Sequence, residues 1–402
     1  MLRNRIIYMC FLIGVSFFAS FYGGNIAYML FYLAILMPIF CIIYTLYVNF
    51  RFKIHQTIDR VKLVKKEAVP YSFILANEDI FTFTSIQVSF FDDKSHIEQA
   101  ESQNSHSLSP KSSKIMTGTI YGDYRGTYEV GAKSAEIMDF LYLFKVNYPI
   151  RSRLRMIVSP RVISIEKLKL ASFIMDPGKT RQNFHPMNET VDMDLRKYVK
   201  GDNRKMIHWK ASAKKQELLT KKYTDIEELE TFLFMDLTKI SSDASTELIA
   251  EDKIIELCLA ISNNFLHNKI PVRIMYETIK INATSILTPR EFEAFYNMCI
   301  DVRFDATDGL DFLINEMTGK YPEHDYYILV TTKLGNDLYD RLYRMGKSGK
   351  QITFFYIRTE REDTKKSMLD ALSDTGIRVY DIWMDDDLEE LFGIKVSEGI
   401  SG

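Results

Sequence analysis

The residues best placed to do chemistry lie in one stretch, Leu195 to Tyr223, LRKYVKGDNRKMIHWKASAKKQELLTKKY. It carries ten basic residues (Arg196, Lys197, Lys200, Arg204, Lys205, Lys210, Lys214, Lys215, Lys221 and Lys222) against two acids, Asp202 and Glu217. Ser212 and Lys214 have the residue types of a serine nucleophile and a lysine base, but that pair needs a buried, neutral amine within hydrogen-bond reach of the hydroxyl. So basic a stretch is a poor place to bury one. His208 has no companion ligand three or four residues away and reads as structural rather than metal-binding. Upstream, Gly178-Lys179-Thr180 resembles the end of a phosphate-binding loop, yet Phe173 stands where that loop needs its first glycine. Without it the backbone cannot wrap a phosphate, and the segment reads as a turn with a solvated lysine. What remains for Leu195–Tyr223 is a basic face for an anionic partner or lipid headgroups, or a structural connector. Gly201-Asp202 should turn the chain, and Ile207 and Trp209 read as apolar anchors that dock the segment while its lysines face water.

These residues sit in a chain of 402, long enough for two or three domains. Lys+Arg 51 against Asp+Glu 53 gives a net charge of −2, so no global basic field points to nucleic acid. Hydrophobic residues at 47% exclude disorder. Cys10, Cys41, Cys258 and Cys299 form no C-x-x-C pair, which excludes a cysteine zinc site and a dense disulfide framework and fits a reducing compartment.

From Ile6 to Phe50 there is no Asp, Glu, Lys, Arg or His. A single bilayer crossing takes about 20 apolar residues, so this run predicts two spans, about 6–22 and 26–48, broken at Gly23-Gly24-Asn25. Pro38 falls inside the second span, where neighbouring groups can satisfy the carbonyl it frees. A signal peptide followed by a buried helix is the competing reading, and a second apolar run starting so soon argues against it. Arg3 and Arg5 precede the hairpin, and Arg51, Lys53, Arg60, Lys62, Lys65 and Lys66 follow it, while the connecting loop is neutral. Basic flanks stay inside, so the expectation is a cell-membrane protein with a cytoplasmic body.

Residues 54–175 read as a β-sandwich-like domain. Strands are expected at Val61–Val64, Tyr71–Leu75, Phe81–Phe91, Gly118–Tyr121 and Arg153–Val158. The polar stretch from Asp92 to Ser113 reads as a long exposed hairpin loop. RGTYEVG, Arg125 to Gly131, has glycines suited to turns, and Asp139 to Phe144 has aromatics suited to a packed strand.

The segment 192–230 closely resembles the signature of the "domain of unknown function 58" family of bacterial membrane proteins. That pattern runs roughly L-R-x-Y-x-x-G-D-x-x-R-x-I-x-W-x-x-S-A-K. Leu195, Arg196, Tyr198, Gly201, Asp202, Arg204, Ile207, Trp209, Ser212, Ala213 and Lys214 match it, and Lys210 lies among them. RGTYEVG, the Ser-Pro-Arg before Val162 and the N-terminal hairpin resemble the same family.

From residue 231 to 402 the pattern turns to buried runs alternating with helical spacing. Strands are expected at Thr231–Asp236, Pro271–Glu277, Asp325–Thr332, Gln351–Arg358 and Gly376–Trp383, and helices at Leu248–Leu266, Arg290–Asn297, Leu310–Met317, Asn336–Met345 and Thr364–Ser373. That alternation predicts a doubly wound α/β sheet, whose ligands bind at the carboxyl ends of its strands. The acid-started tail, Asp385 to Phe392, should form a short helix packed through Leu388, Leu391 and Phe392.

The resemblance implies a von Willebrand factor A-like fold, in which Asp236 begins a D-x-S-x-S metal-ion-dependent adhesion site. Asp236 and Thr238 fit that pattern, but Ile240 replaces its second serine and Thr331-Thr332-Lys333 stands where a later aspartate is expected. Two missing oxygen ligands and the nearby Lys239 and Lys333 make a degenerate site, poor for Mg²⁺. No intact nucleotide-binding, metalloprotease, hydrolase or redox motif is present. The expected function is therefore a membrane-anchored, non-catalytic interaction and assembly protein. The resemblance implies a MoxR-type AAA+ ATPase and a transglutaminase-like membrane protein as partners, acting in maturation of membrane or envelope complexes. A hydrolase using the basic segment and a metal-dependent adhesion module are the alternatives.

Overall fold

The computed structural model describes residues 1–99, 105–168, 170, 194–198, 209, 212–213, 216–222, 231–240, 243–320, 326–360 and 365–393. Gly178-Lys179-Thr180 lies outside them. The chain divides into two compact units, Met1–Arg161 and Val162–Gly402. Ile163, Ile165, Leu168 and Leu170 belong to the core of the second unit.

In the first unit, helix α1 (Leu2–Tyr22) and helix α2 (Gly24–Arg51) are both long and apolar enough to cross a membrane. Gly23 joins them at φ 57 and Gly24 follows at φ 85, left-handed conformations that favour glycine and let the chain reverse within one residue. Most hairpin side chains face outward, Ile6, Phe17, Leu33 and Leu36 among them, as lipid-facing residues do. Pro38 lies inside α2, where it removes the bond to the carbonyl of Ala34. The Tyr8 hydroxyl takes that place and donates to the Ala34 oxygen at 2.5 Å.

A strand-rich region follows. One sheet has the order β1 (Lys53–Ile58), β3 (Ala68–Asn77), β7 (Ser112–Gly122), β5 (Ser95–Gln99). A second has the order β10 (Lys145–Pro149), β9 (Ala132–Met138), β4 (Phe83–Phe90), β6 (His106–Leu108). A third pairs β2 (Lys62–Val64), β11 (Leu154–Ser159) and β8 (Gly126–Val130). All three enclose one core, built from Val69, Tyr71, Phe73, Ile86, Ile120, Ile137, Met156 and Val158. Alternation is clearest in β3, whose side chains alternate between core and surface along its length. Val48 and Phe52 enter the same core, so the end of α2 is part of this unit.

Two expectations are corrected here. The polar stretch from Asp92 to Ser113 is not one long loop, because β5, β6 and the start of β7 lie within it. Asp139 to Phe144 is a turn, not a strand. The Asp139 carboxylate, fully buried, accepts from Leu141 N at 2.9 Å and Phe144 N at 2.6 Å, and Tyr142 is left-handed at φ 54. In RGTYEVG, Gly131 sits at φ 83, and a Cβ there would come within 2.7 Å of the Gln56 amide oxygen. That oxygen accepts from Tyr71 Oη and Ala132 N, both at 3.0 Å, and so ties β1, β3 and β9 together.

In the second unit, β12 (Asp194–Lys197) and β13 (Leu219–Lys222) pair antiparallel. A six-stranded sheet follows, in the order β16 (Ile281–Ile286), β15 (Val272–Glu277), β14 (Thr231–Met235), β17 (Tyr326–Thr331), β18 (Gln351–Arg358), β19 (Arg378–Trp383). Its pairs are parallel except β15 with β16. The helices are α3 (Ala244–His267), α4 (Pro289–Asp301), α5 (Leu310–Lys320), α6 (Asn336–Lys347), α7 (Lys366–Asp374) and α8 (Leu388–Phe392). Alternate residues of the central strands enter different cores. Leu233, Met235, Ile328 and Val330 pack with α3 and α4, while Phe232, Phe234, Tyr327 and Leu329 pack with α5, α6 and α7. Both faces of the sheet are therefore covered, which is why its strands read as continuous apolar runs. Leu388 and Phe392 of the tail helix are buried, whereas Leu391 is exposed.

Candidate functional site

The sheet order places β14 between β15 and β17, so the chain runs outward from β14 on both sides. In a parallel sheet the crevice at the carboxyl ends of two such strands is where ligands collect. Asp236 follows β14 there and Thr331 ends β17. Asp236 is held in place by its own N–H, which donates to Val330 O at 3.1 Å.

Three donors converge on its carboxylate. Oδ1 accepts from Thr238 N at 2.9 Å and Thr238 Oγ1 at 2.7 Å, and Oδ2 accepts from Thr331 Oγ1. Thr331 Oγ1 in turn accepts from Lys333 N at 2.8 Å, and Lys333 Nζ donates to Lys239 O at 2.7 Å. Asp236, Thr238, Thr331 and Thr332 are all buried. The loops after β14 and β17 are thus laced together by hydroxyls and one ammonium. Ile240 is 4% exposed and belongs to the core, away from any ligand role.

One carboxylate, two hydroxyls donating to it and a lysine ammonium thus bridge the same two loops. Among the described residues no group of three or more His, Cys, Asp or Glu could hold a metal ion. Beside the crevice, a cavity of about 270 Å³ opens at the ends of β17 and β18, lined in part by Thr332, Lys333, Arg358, Lys366 and Asp381. Arg358 and Asp381 pair across it at 2.9 Å.

The basic signature is only partly placed. Gly201, Asp202, Arg204, Ile207, His208, Lys210 and Lys214 lie outside the described residues, and Arg196 is described by its backbone in β12. Tyr198 continues the strand pair, its N–H donating to Leu218 O at 2.8 Å. Ser212 is 7% exposed; its Oγ accepts from Leu219 N at 2.9 Å and donates to Leu219 O at 3.4 Å. The hydroxyl fastens its segment to β13. Trp209 corrects an expectation. Its ring is 67% exposed, so it does not anchor the segment in an apolar core.

Thr331 is the side chain of this hydrogen-bond set that sequence reasoning left without a role. Its signal was the hydroxyl at the end of a buried strand, but only the neighbouring of β14 and β17 reveals Asp236 as its partner.

A family model described as protein of unknown function DUF58 matches residues 194–284. That span holds the β12–β13 pair, β14, α3, β15 and most of β16. No curated protein matches the chain. Among solved structures it is similar to the cupredoxin domain of amoB from Nitrosocaldus yellowstonii, at 11% identity over 27% of this chain and 86% of that one, with a TM-score of 0.21. It is also similar to a family 123 glycoside hydrolase from Clostridium perfringens, at 10% identity over 82% and 72% of the two chains, with a TM-score of 0.19. Likenesses this slight carry no argument about fold or chemistry.

Proposed function

We propose that this chain is a membrane-anchored, non-catalytic interaction and assembly protein. In this reading the first unit is a β-sandwich-like collar on a two-span hairpin. The second is a doubly wound, von Willebrand factor A-like docking module. The observation that carries the reading is the closed hydrogen-bond set at Asp236, where Thr238 and Thr331 occupy both carboxylate oxygens. Groups so engaged hold two loops in one shape, which suits a recognition surface. The engagement of Ser212 by the backbone of Leu219 supports the same reading over a hydrolase. The partners, a MoxR-type AAA+ ATPase and a transglutaminase-like membrane protein, follow from family resemblance and association rather than from a site. Basic residues flanking both hairpin ends support a cytoplasmic body.

The test replaces the hydroxyl on which a hydrolase would depend. Cells carrying Ser212→Ala, checked for folding and membrane insertion, should keep the wild-type phenotype of the gene. Loss of that phenotype in a folded, inserted variant would move the reading to an enzyme.

A further inference from the structure

Helix α2 has 28 residues, about 42 Å at 1.5 Å per residue, whereas a hydrocarbon core of about 30 Å needs about 20. The surplus lies at its C-terminal end, against the first unit's own sheets. Tyr44 Oη donates to Thr82 O at 2.6 Å and accepts from Thr84 N at 3.2 Å. The Phe140 ring lies 6.3 Å from Phe40 and 5.7 Å from Tyr44, and the Phe81 ring lies 5.6 Å from Tyr47. On α1 the matching level is marked by Asn4, which donates to Leu141 O at 3.1 Å, and by Arg5, whose Nε donates to Leu143 O at 2.7 Å. A guanidinium and the buried Asp139 carboxylate at one level are costly in hydrocarbon. The lipid tails must therefore stop near Ile6 and Phe40. That leaves about 17 residues of each helix, or about 25 Å, at the short end of the spanning range.

The turn Asp139–Phe144 then lies where the bilayer surface must be. Tyr142 is 40% exposed, and the Asp139 knot fixes it in a left-handed conformation that a bulky residue seldom adopts. Tyrosine, with tryptophan, is the residue type that settles at the headgroup level. We propose that Phe140, Leu141 and Tyr142 form a foot seated in the headgroup layer of the leaflet from which both hairpin ends emerge, making the first unit a collar fixed flush with the membrane. The occupant of this surface is lipid, because Phe140 packs directly on Phe40, itself on the outward-facing surface of the hairpin. The inference rests on the reading of α1 and α2 as a bilayer hairpin.

The experiment uses the full chain with Trp209→Phe and Trp383→Phe, reconstituted in phosphatidylcholine–phosphatidylglycerol vesicles. Single tryptophans are introduced as Tyr142→Trp, Leu141→Trp or Leu30→Trp. Tyr142→Trp and Leu141→Trp should be quenched most by lipid brominated near the headgroup end of the acyl chain, and Leu30→Trp most by lipid brominated near the terminal methyl. If Leu30→Trp is quenched while neither foot variant responds, the foot is overturned and the hairpin stands. If Leu30→Trp is not quenched, the hairpin reading fails and takes the foot with it. Burial of the foot tryptophans that depends on protein concentration but not on brominated lipid would make the surface a contact between copies, and would also overturn the proposal.

Discussion

The Tyr8 hydroxyl and Pro38 are partners that never touch the same atom as donors: the proline withdraws the N–H that Ala34 O would accept, and the tyrosine supplies an O–H in its place at 2.5 Å. Removing that donor should loosen the hairpin. Tyr8→Phe is expected to cost about 1 kcal/mol, the scale of a hydrogen bond between helices in a membrane. Adding Pro38→Ala to Tyr8→Phe should recover most of it, since alanine returns the missing N–H. Reversible unfolding in bicelles over the four members of this cycle measures the coupling, and additive effects would show that the two are independent.

Strong acid should act at two carboxylates. Hydrogen bonds from Tyr47 and Arg51 hold Asp79 at about 2, and those from Ser245 and Thr246 hold Asp243, the N-cap of α3, at about 2. Both folded values lie below the usual unfolded value of about 3.9, so their contribution is complete above about pH 4 and is lost as pH falls through about 2. The melting temperature of the detergent-solubilised protein should decline across that window. Asp79→Asn and Asp243→Asn should each lower it at neutral pH and flatten the decline.

Thr331→Val should leave Asp236 Oδ2 buried without its hydroxyl donor. A loss of about 1–3 kcal/mol in the stability of the second unit is expected. Titration of wild type with Mg²⁺ by calorimetry should give no heat in the micromolar range, and Mg²⁺ should not restore the valine variant. A micromolar site abolished by Asp236→Ala would show that the crevice opens to a cation.

Trp209→Ala is expected to change stability by less than about 0.5 kcal/mol, because its ring is exposed. The sequence suggested a buried anchor, whose loss would cost about 3–5 kcal/mol. Differential scanning calorimetry separates the two.

The α/β sheet was legible because its strands are buried on both faces. Ile352–Ile357 is buried throughout and apolar but for Thr353, a run that exposed structure would not tolerate. The strand Ile281–Ile286 escaped notice because it lies at the sheet edge, half-exposed, with Asn282 and Thr284 interrupting its apolar pattern. Likewise β5 and β6 are short and polar, and only pairing with β7 and β4 makes them strands. Hydropathy carried the second span to Val48, since an apolar side chain looks the same facing lipid or a protein core, and Val48 faces the core. At the crevice, Asp236 and Thr238 were named only because the family resemblance implies a D-x-S-x-S pattern there. The roles of the Thr331 hydroxyl and the Lys333 ammonium were not legible, because their partners are about a hundred residues away in sequence, as the separations of 95 and 94 show.

The central claim is that the second unit, on which Trp209 is exposed, meets a partner rather than a substrate. A photo-crosslinking amino acid in place of Trp209, in the full chain in native membranes, tests it most directly. The account predicts an adduct containing an AAA+ ATPase subunit, weakened by added salt and by reversing Lys210, Lys214 and Lys215 to glutamate. An adduct to lipid alone, or none to an ATPase while the protein remains folded and inserted, would contradict it.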